Sequence, residues 1–197
     1  MNKKKIIWIV VIVVAVLAIF GWIKNSYNGM VSKQESVEAQ WAQVENVYQR
    51  RADLIPNLVA TVKGYAEHES STLTDVVNAR AKATGITLDP TDLEPEDIAR
   101  FQAAQDELSG ALSRLLVSVE QYPDLKANQN FLELQSQLEG TENRITVERQ
   151  KFNDKAREYN QYVRAFPRNI IANMFDFEKV GYFKAVAGSE VAPKVEF

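Results

Sequence analysis

The sequence predicts an all-α protein: an N-terminal transmembrane helix followed by a long antiparallel helical bundle. Three observations carry that prediction. Ile6 to Ile23 is an apolar run without a single charge. Behind it, apolar residues recur at intervals of seven through three long segments. No stretch alternates apolar and polar residues as a half-buried strand would.

The leader comes first. As a helix, Ile6–Ile23 spans roughly 27 Å, close to the hydrocarbon thickness of a bilayer. Trp8 and Trp22 fall near its two ends, where amphipathic rings favour the interface. Lys3, Lys4 and Lys5 precede the run and Lys24 follows it. The positive-inside rule therefore places residues 1–5 in the cytoplasm and the body outside it, in the periplasm if the cell is Gram-negative. The competing reading is a cleaved signal peptide, with Val16-Leu17-Ala18 as a weak processing site. Apolar residues continue beyond that point to Ile23, past a usual signal-peptide core, which favours an uncleaved anchor.

Asn25–Gly29 reads as a polar hinge with a break at Gly29. From Met30 a helical pattern begins, and residues 24–184 read as one bundle. Trp41, Tyr48, Ile55 and Val62 stand seven apart, as do Val37 and Val44, then Leu58 and Tyr65, with Arg51 in the intervening slot. This is one seam on a helix of three to five turns on either side of Pro56. Ser70–Thr72 can cap a renewed helix carrying Leu73, Val76 and Val77, which Gly85 ends. "GITLDPTDLEP" (85–95) reads as an exposed loop. Pro95 suits the first turn of the next helix, and Glu96 and Asp97 suit its positive end.

That helix carries Phe101, Leu108, Leu115 and Tyr122 at sevens, flanked by Ile98, Leu112 and Val119, until Tyr122-Pro123 interrupts it. The last long helix has the clearest pattern: Phe131, Leu138, Ile145, Phe152, Tyr159 and Phe166, with Pro167 closing or kinking it. A shared seven-residue repeat on long helices predicts bundle or coiled-coil packing at shallow angles. After Pro167, an aromatic-rich stretch is expected to pack on the bundle, and residues 185–197 are expected to form a flexible tail.

The composition excludes several chemistries. The chain has no cysteine, so thiolate metal sites and disulfides are out. Its net charge is −3, and the part beyond residue 23 is more acidic still, with no long basic stripe; nucleic acid is not an expected partner. His68 is the sole histidine. "HESST" starts like a zinc-protease HExxH but has threonine where the second imidazole must be. Neither a GxSxG nucleophile nor a phosphate-cradling glycine loop is present. No catalytic, cofactor-binding or metal-binding residue is identified.

The polar residues beside the seams are more informative. Arg51 stands at a seam position, and a buried guanidinium requires a partner. Glu142 and Asp53 are the candidates, with snorkelling to solvent beside Tyr48 as the alternative. Pro56 lacks an N–H and leaves the Ala52 carbonyl without its helical donor, so an asparagine or arginine side chain can donate there. Asn153 and Asn160, seven apart, each follow an aromatic. They are either donors to a partner helix or distorted backbone, or solvated surface amides. Arg50, Arg51, Asp53, Pro56, Asn57, Glu142, Arg149, Asn153 and Asn160 thus form a candidate structural polar cluster around a kink.

These residues resemble the LemA family. The resemblance rests on "YNGMV" (27–31), Trp41, "RRADLIPNLVATVKGYAEHE" (50–69), "NARA" (78–81), "YPDLKANQNFLELQSQLEGTENRI" (122–145), Arg149, "YNQYVRAFP" (159–167) and the aromatic tail through Tyr182-Phe183. Phe152 departs from it, standing where the family more often has tyrosine. The resemblance implies a bacterial single-pass membrane protein with a long helical bundle, no established enzymatic activity and no known cofactor. The expected role is a structural or protein-interaction module, with the lipid bilayer and either a second copy or another membrane protein as partners. The alternative is a stress-signalling or regulatory module that acts through a membrane partner and uses Pro56 as its two-state element.

Overall fold

A computed structural model describes residues 3–65 and 70–185. Those residues form α1 (Lys3–Lys63), α2 (Ser70–Thr84), α3 (Pro95–Val119), α4 (Pro123–Lys126), α5 (Gln129–Arg164) and α6 (Arg168–Met174), with no strand among them. His68 and the C-terminal tail from residue 186 lie outside the described residues.

The leader and the first bundle helix are one element. α1 runs through Asn25–Gly29 without a break, about 90 Å in all. The expected hinge is therefore absent. Gly29 has a different role: a Cβ there would lie 2.1 Å from the Tyr162 hydroxyl oxygen, so its missing side chain lets α5 approach α1 closely. α1 also passes Pro56 and ends at Lys63, leaving about two turns beyond the proline rather than three to five. Inside the leader, the most apolar window is fully exposed, and it is the one described stretch long and apolar enough to cross a membrane.

The seams become the core. Val37, Trp41, Val44, Tyr48, Ile55, Leu58 and Val62 of α1 are buried. α5 runs antiparallel to α1, as the ion pair Lys33–Glu158 (3.6 Å) and the Gln40–Glu148 hydrogen bond (2.6 Å) require. Phe131, Leu138, Ile145, Phe152 and Tyr159 all face inward. Phe166 does not. α5 stops at Arg164, the repeat stops with it, and Phe166 is 82% exposed. Tyr65 and Val77 also face water.

The core has two compartments. One holds Trp41, Phe101, Phe152 and Phe183, whose rings meet edge-on or stacked at 5.3–6.4 Å. The other holds Ile55, Leu58, Val76, Leu108, Leu115 and Leu138. The 85–95 loop is not wholly exposed, because Leu88 and Leu93 fill the first compartment where α2 has ended and α3 has not begun.

Candidate functional site

Arg51 lies between the two compartments. Its neighbours along α1 assign it there: Tyr48 belongs to one compartment and Ile55 to the other. The side chain is 2% exposed. Nη1 donates to Glu142 Oε2 (2.9 Å) and to Ser109 Oγ (2.7 Å). Nη2 donates to Gln105 Oε1 (2.6 Å) and to the Gln105 carbonyl (3.2 Å). Gln105 in turn donates from Nε2 to the Ala83 carbonyl (3.2 Å), and the guanidinium sits 5.1 Å from the centre of the Tyr48 ring. A single polar layer thereby ties α1, α2, α3 and α5 together across the bundle.

The structure divides the nine candidate residues. Arg51 and Glu142 are brought together. Asp53 instead accepts from Gln49 (2.7 Å) on its own helix. Arg50 and Asn57 are exposed, and Asn57 contributes only its carbonyl, which Thr61 Oγ1 donates to at 2.8 Å. At Pro56, the Ala52 carbonyl accepts from Arg80 Nε at 2.8 Å. An arginine does donate there, but it is the arginine of "NARA" on α2 and not a member of the cluster.

Asn153 and Asn160 serve neither a partner helix nor Pro56. Each clamps the chain that follows α6. Asn160 Nδ2 donates to the Val180 carbonyl (2.8 Å) while its Oδ1 accepts from the Val180 N–H (3.0 Å). Asn153 does the same with Phe183, at 2.9 Å both ways. Gln102 repeats the motif from α3 on Lys184, at 3.0 and 2.9 Å. Three side-chain amides thus stand in for a neighbouring strand and satisfy the backbone of an extended strap that would otherwise carry unpaired groups. Arg149 caps the arrangement, donating to the Lys184 carbonyl (2.8 Å) with its guanidinium 4.8 Å from the Phe183 ring centre.

The strap's course requires Gly181. A Cβ there would meet Pro95 Cα at 2.7 Å, and the Gly181 N–H donates to the Leu93 carbonyl at 2.9 Å. Sequence reasoning missed Gln102, Gln105, Ser109 and Arg80. A signal existed for the first three: they are polar residues at 3–4 residue spacing on the same face as the α3 seam.

Burial and hydrogen bonding shift three groups near the core. Tyr48 is pushed up to about 12 by burial, against the opposing pull of Arg149 and Arg51. Tyr159 is raised to about 12, again by burial first and then by Glu178 and Glu38. Glu148 is held below the usual range by hydrogen bonds from Lys151 and Gln40. An open cleft of about 290 Å³ borders the polar layer, lined by Tyr48, Gln49, Thr84, Phe101 and Gln105 among others. Among the described residues, no three His, Asp or Glu side chains gather to hold a metal.

The family model described as the LemA family matches residues 40–197, which include the polar layer, its Arg80 neighbour and the strap. The chain is 25% identical over 158 residues to Protein LemA of Metamycoplasma hominis, covering 80% of this chain and 68% of that protein. It is 27% identical over 192 residues to Magnetosome protein MamQ 2 of Paramagnetospirillum magneticum, covering 89% and 71%. Similarity to Magnetosome protein MamQ of Magnetospirillum gryphiswaldense is 25% over 188 residues, covering 87% and 69%.

Proposed function

The chain belongs to the LemA family, and from that premise we propose that it is a non-enzymatic, membrane-anchored structural and protein-interaction module of the bacterial cell envelope. The observation that carries the reading is the continuity of α1. An exposed apolar span passes without interruption into the bundle, so the rod is held stiffly relative to the bilayer. From Ile23 to Lys63 the rod rises about 60 Å. Such a part suits holding a partner at a fixed distance from a membrane. The polar layer supports the same reading, because four of the five guanidinium hydrogens of Arg51 are engaged by protein acceptors and serve packing. The partner is a second copy or another membrane protein, docked through exposed apolar side chains of the rod such as Val117, Leu132 and Val147.

In-cell photo-crosslinking from positions 117, 132 and 147, read by mass spectrometry, tests this. The expected result is a discrete adduct with a second copy or with one membrane protein. Uncrosslinked monomer from all three positions, or turnover of a small molecule by the purified chain, would overturn it.

A further inference from the structure

α6 and the corner before it leave an apolar face unpartnered. Ile171 and Ala172 point into the bundle, whereas Ile170 and Met174, four residues apart on the opposite side of α6, are 54% and 64% exposed, and Phe166, in the corner before α6, is 82% exposed. Large apolar side chains gathered on one short face signal an interaction surface.

Their height along the rod identifies what covers them. Tyr162 touches Gly29, and α5 descends from there toward the leader. α5 ends at Arg164, about 3 Å further along that descent and level with about residue 27 of α1, and Phe166 stands in the corner just beyond it. The rings of Tyr27 and Phe175 meet at 5.0 Å, which pins the end of α6 about 6 Å above Ile23. A bilayer's headgroup layer is about 5–7 Å thick on each side of its hydrocarbon. The apolar face of α6 therefore begins where the exposed apolar span ends, at headgroup depth.

The charges agree. Arg164 and Arg168 flank this corner in sequence and Lys24 directly follows the span, with Arg168 held 4.1 Å from the centre of the Tyr162 ring. Among the neighbouring acids, Glu158 on the α5 side pairs with Lys33 (3.6 Å); on the other side stand Asp176 and Glu178. They line a cleft with Glu94, Pro95 and Glu96, and another with Gln34 and Glu38 higher on the rod.

We infer that α6 is a second membrane contact: an interfacial foot whose Phe166, Ile170 and Met174 enter the headgroup layer beside the span while Lys24, Arg164 and Arg168 meet lipid phosphates. The inference rests on the membrane-anchored reading above. It adds that the rod has a restricted tilt as well as a fixed height, because a foot on one side resists tilting.

The absence of cysteine allows a clean test. Nitroxides are attached to Phe166→Cys, Ile170→Cys and Met174→Cys of the full chain in phosphatidylcholine–phosphatidylglycerol vesicles. Val13→Cys in the span and Val117→Cys on the distal rod are the references. Relaxation by oxygen and by a water-soluble nickel chelate is compared. The expected result is a higher oxygen-to-nickel ratio at the three foot positions than at Val117→Cys, and a lower one than at Val13→Cys. A ratio at the foot equal to that at Val117→Cys, with Val13→Cys in lipid, overturns the foot and leaves the anchor standing. Dipolar broadening between labels with neither reagent admitted means that a second copy covers α6, and also overturns it. Nickel access at Val13→Cys overturns the anchor and the foot together.

Discussion

The residue that most constrains this bundle is Arg51. Burying it beside apolar layers demands that partners be in register, because a desolvated guanidinium without acceptors costs several kcal/mol. Its two types of partner are unequal. Gln105 and Ser109 reach it from inside the bundle, whereas the Glu142 carboxylate is 52% exposed and screened by water. We therefore expect Arg51→Ala to destabilise the bundle by about 3 kcal/mol and Glu142→Ala by about 1 kcal/mol or less. Denaturant titration of the full chain in detergent, followed by helical circular dichroism, measures both. Equal losses would mean that the ion pair, not the amide and hydroxyl, holds the layer.

Arg80 permits a sharper experiment at the same scale. It supplies the donor that Pro56 cannot, so Arg80→Ala leaves the Ala52 carbonyl short of a partner and is expected to cost about 1–2 kcal/mol. Adding Pro56→Ala returns a backbone N–H to that carbonyl. The double variant should recover most of the loss, and additive losses in the same denaturation assay would sink the account.

At the scale of elements, the seven-residue repeat was enough to find the long helices and most of their inward faces, because each apolar position is repeated turn after turn. It failed where the constraint was not periodic. The repeat could not reveal that Phe166 falls beyond the helix end, since spacing continues on paper after hydrogen bonding has stopped. Nor could it foresee that Asn25–Gly29 would stay helical: one glycine weakens a helix by only roughly 1 kcal/mol, and the turns on either side are helical. The strap was the least legible element. Its residues carry no strand pattern of their own, and the amides that hold it come from α3 and α5, 20 to 82 positions away in sequence. Asn160 should be the strongest of the three clamps, since it also donates to the Tyr182 hydroxyl at 2.9 Å. In hydrogen exchange, Asn160→Ala is expected to strip protection from the Val180 amide by about tenfold or more while leaving α1 amides protected. Uniform loss across α1 would show that the strap and the bundle open as one unit.

At the scale of the whole molecule, orientation follows from very few charges. Lys3, Lys4 and Lys5 stand before the span, and Lys24 and Lys33 follow it within ten residues, so the charge bias on which an extracytoplasmic rod rests is a small difference. That makes it reversible. In intact cells, a membrane-impermeant maleimide should label Val117→Cys on the distal rod, and should label Asn2→Cys only after permeabilisation. Changing Lys3, Lys4 and Lys5 to Gln while converting Asn25 and Asn28 to Arg reverses the charge bias across the same apolar run. Because residues beyond about 20 from a span contribute little, the acidic body should not rescue the original orientation. A measurable fraction of molecules should then expose Asn2→Cys and hide Val117→Cys. If Val117→Cys is silent in the unaltered chain, the rod stands in the cytoplasm, and the partner must be sought on that side of the membrane.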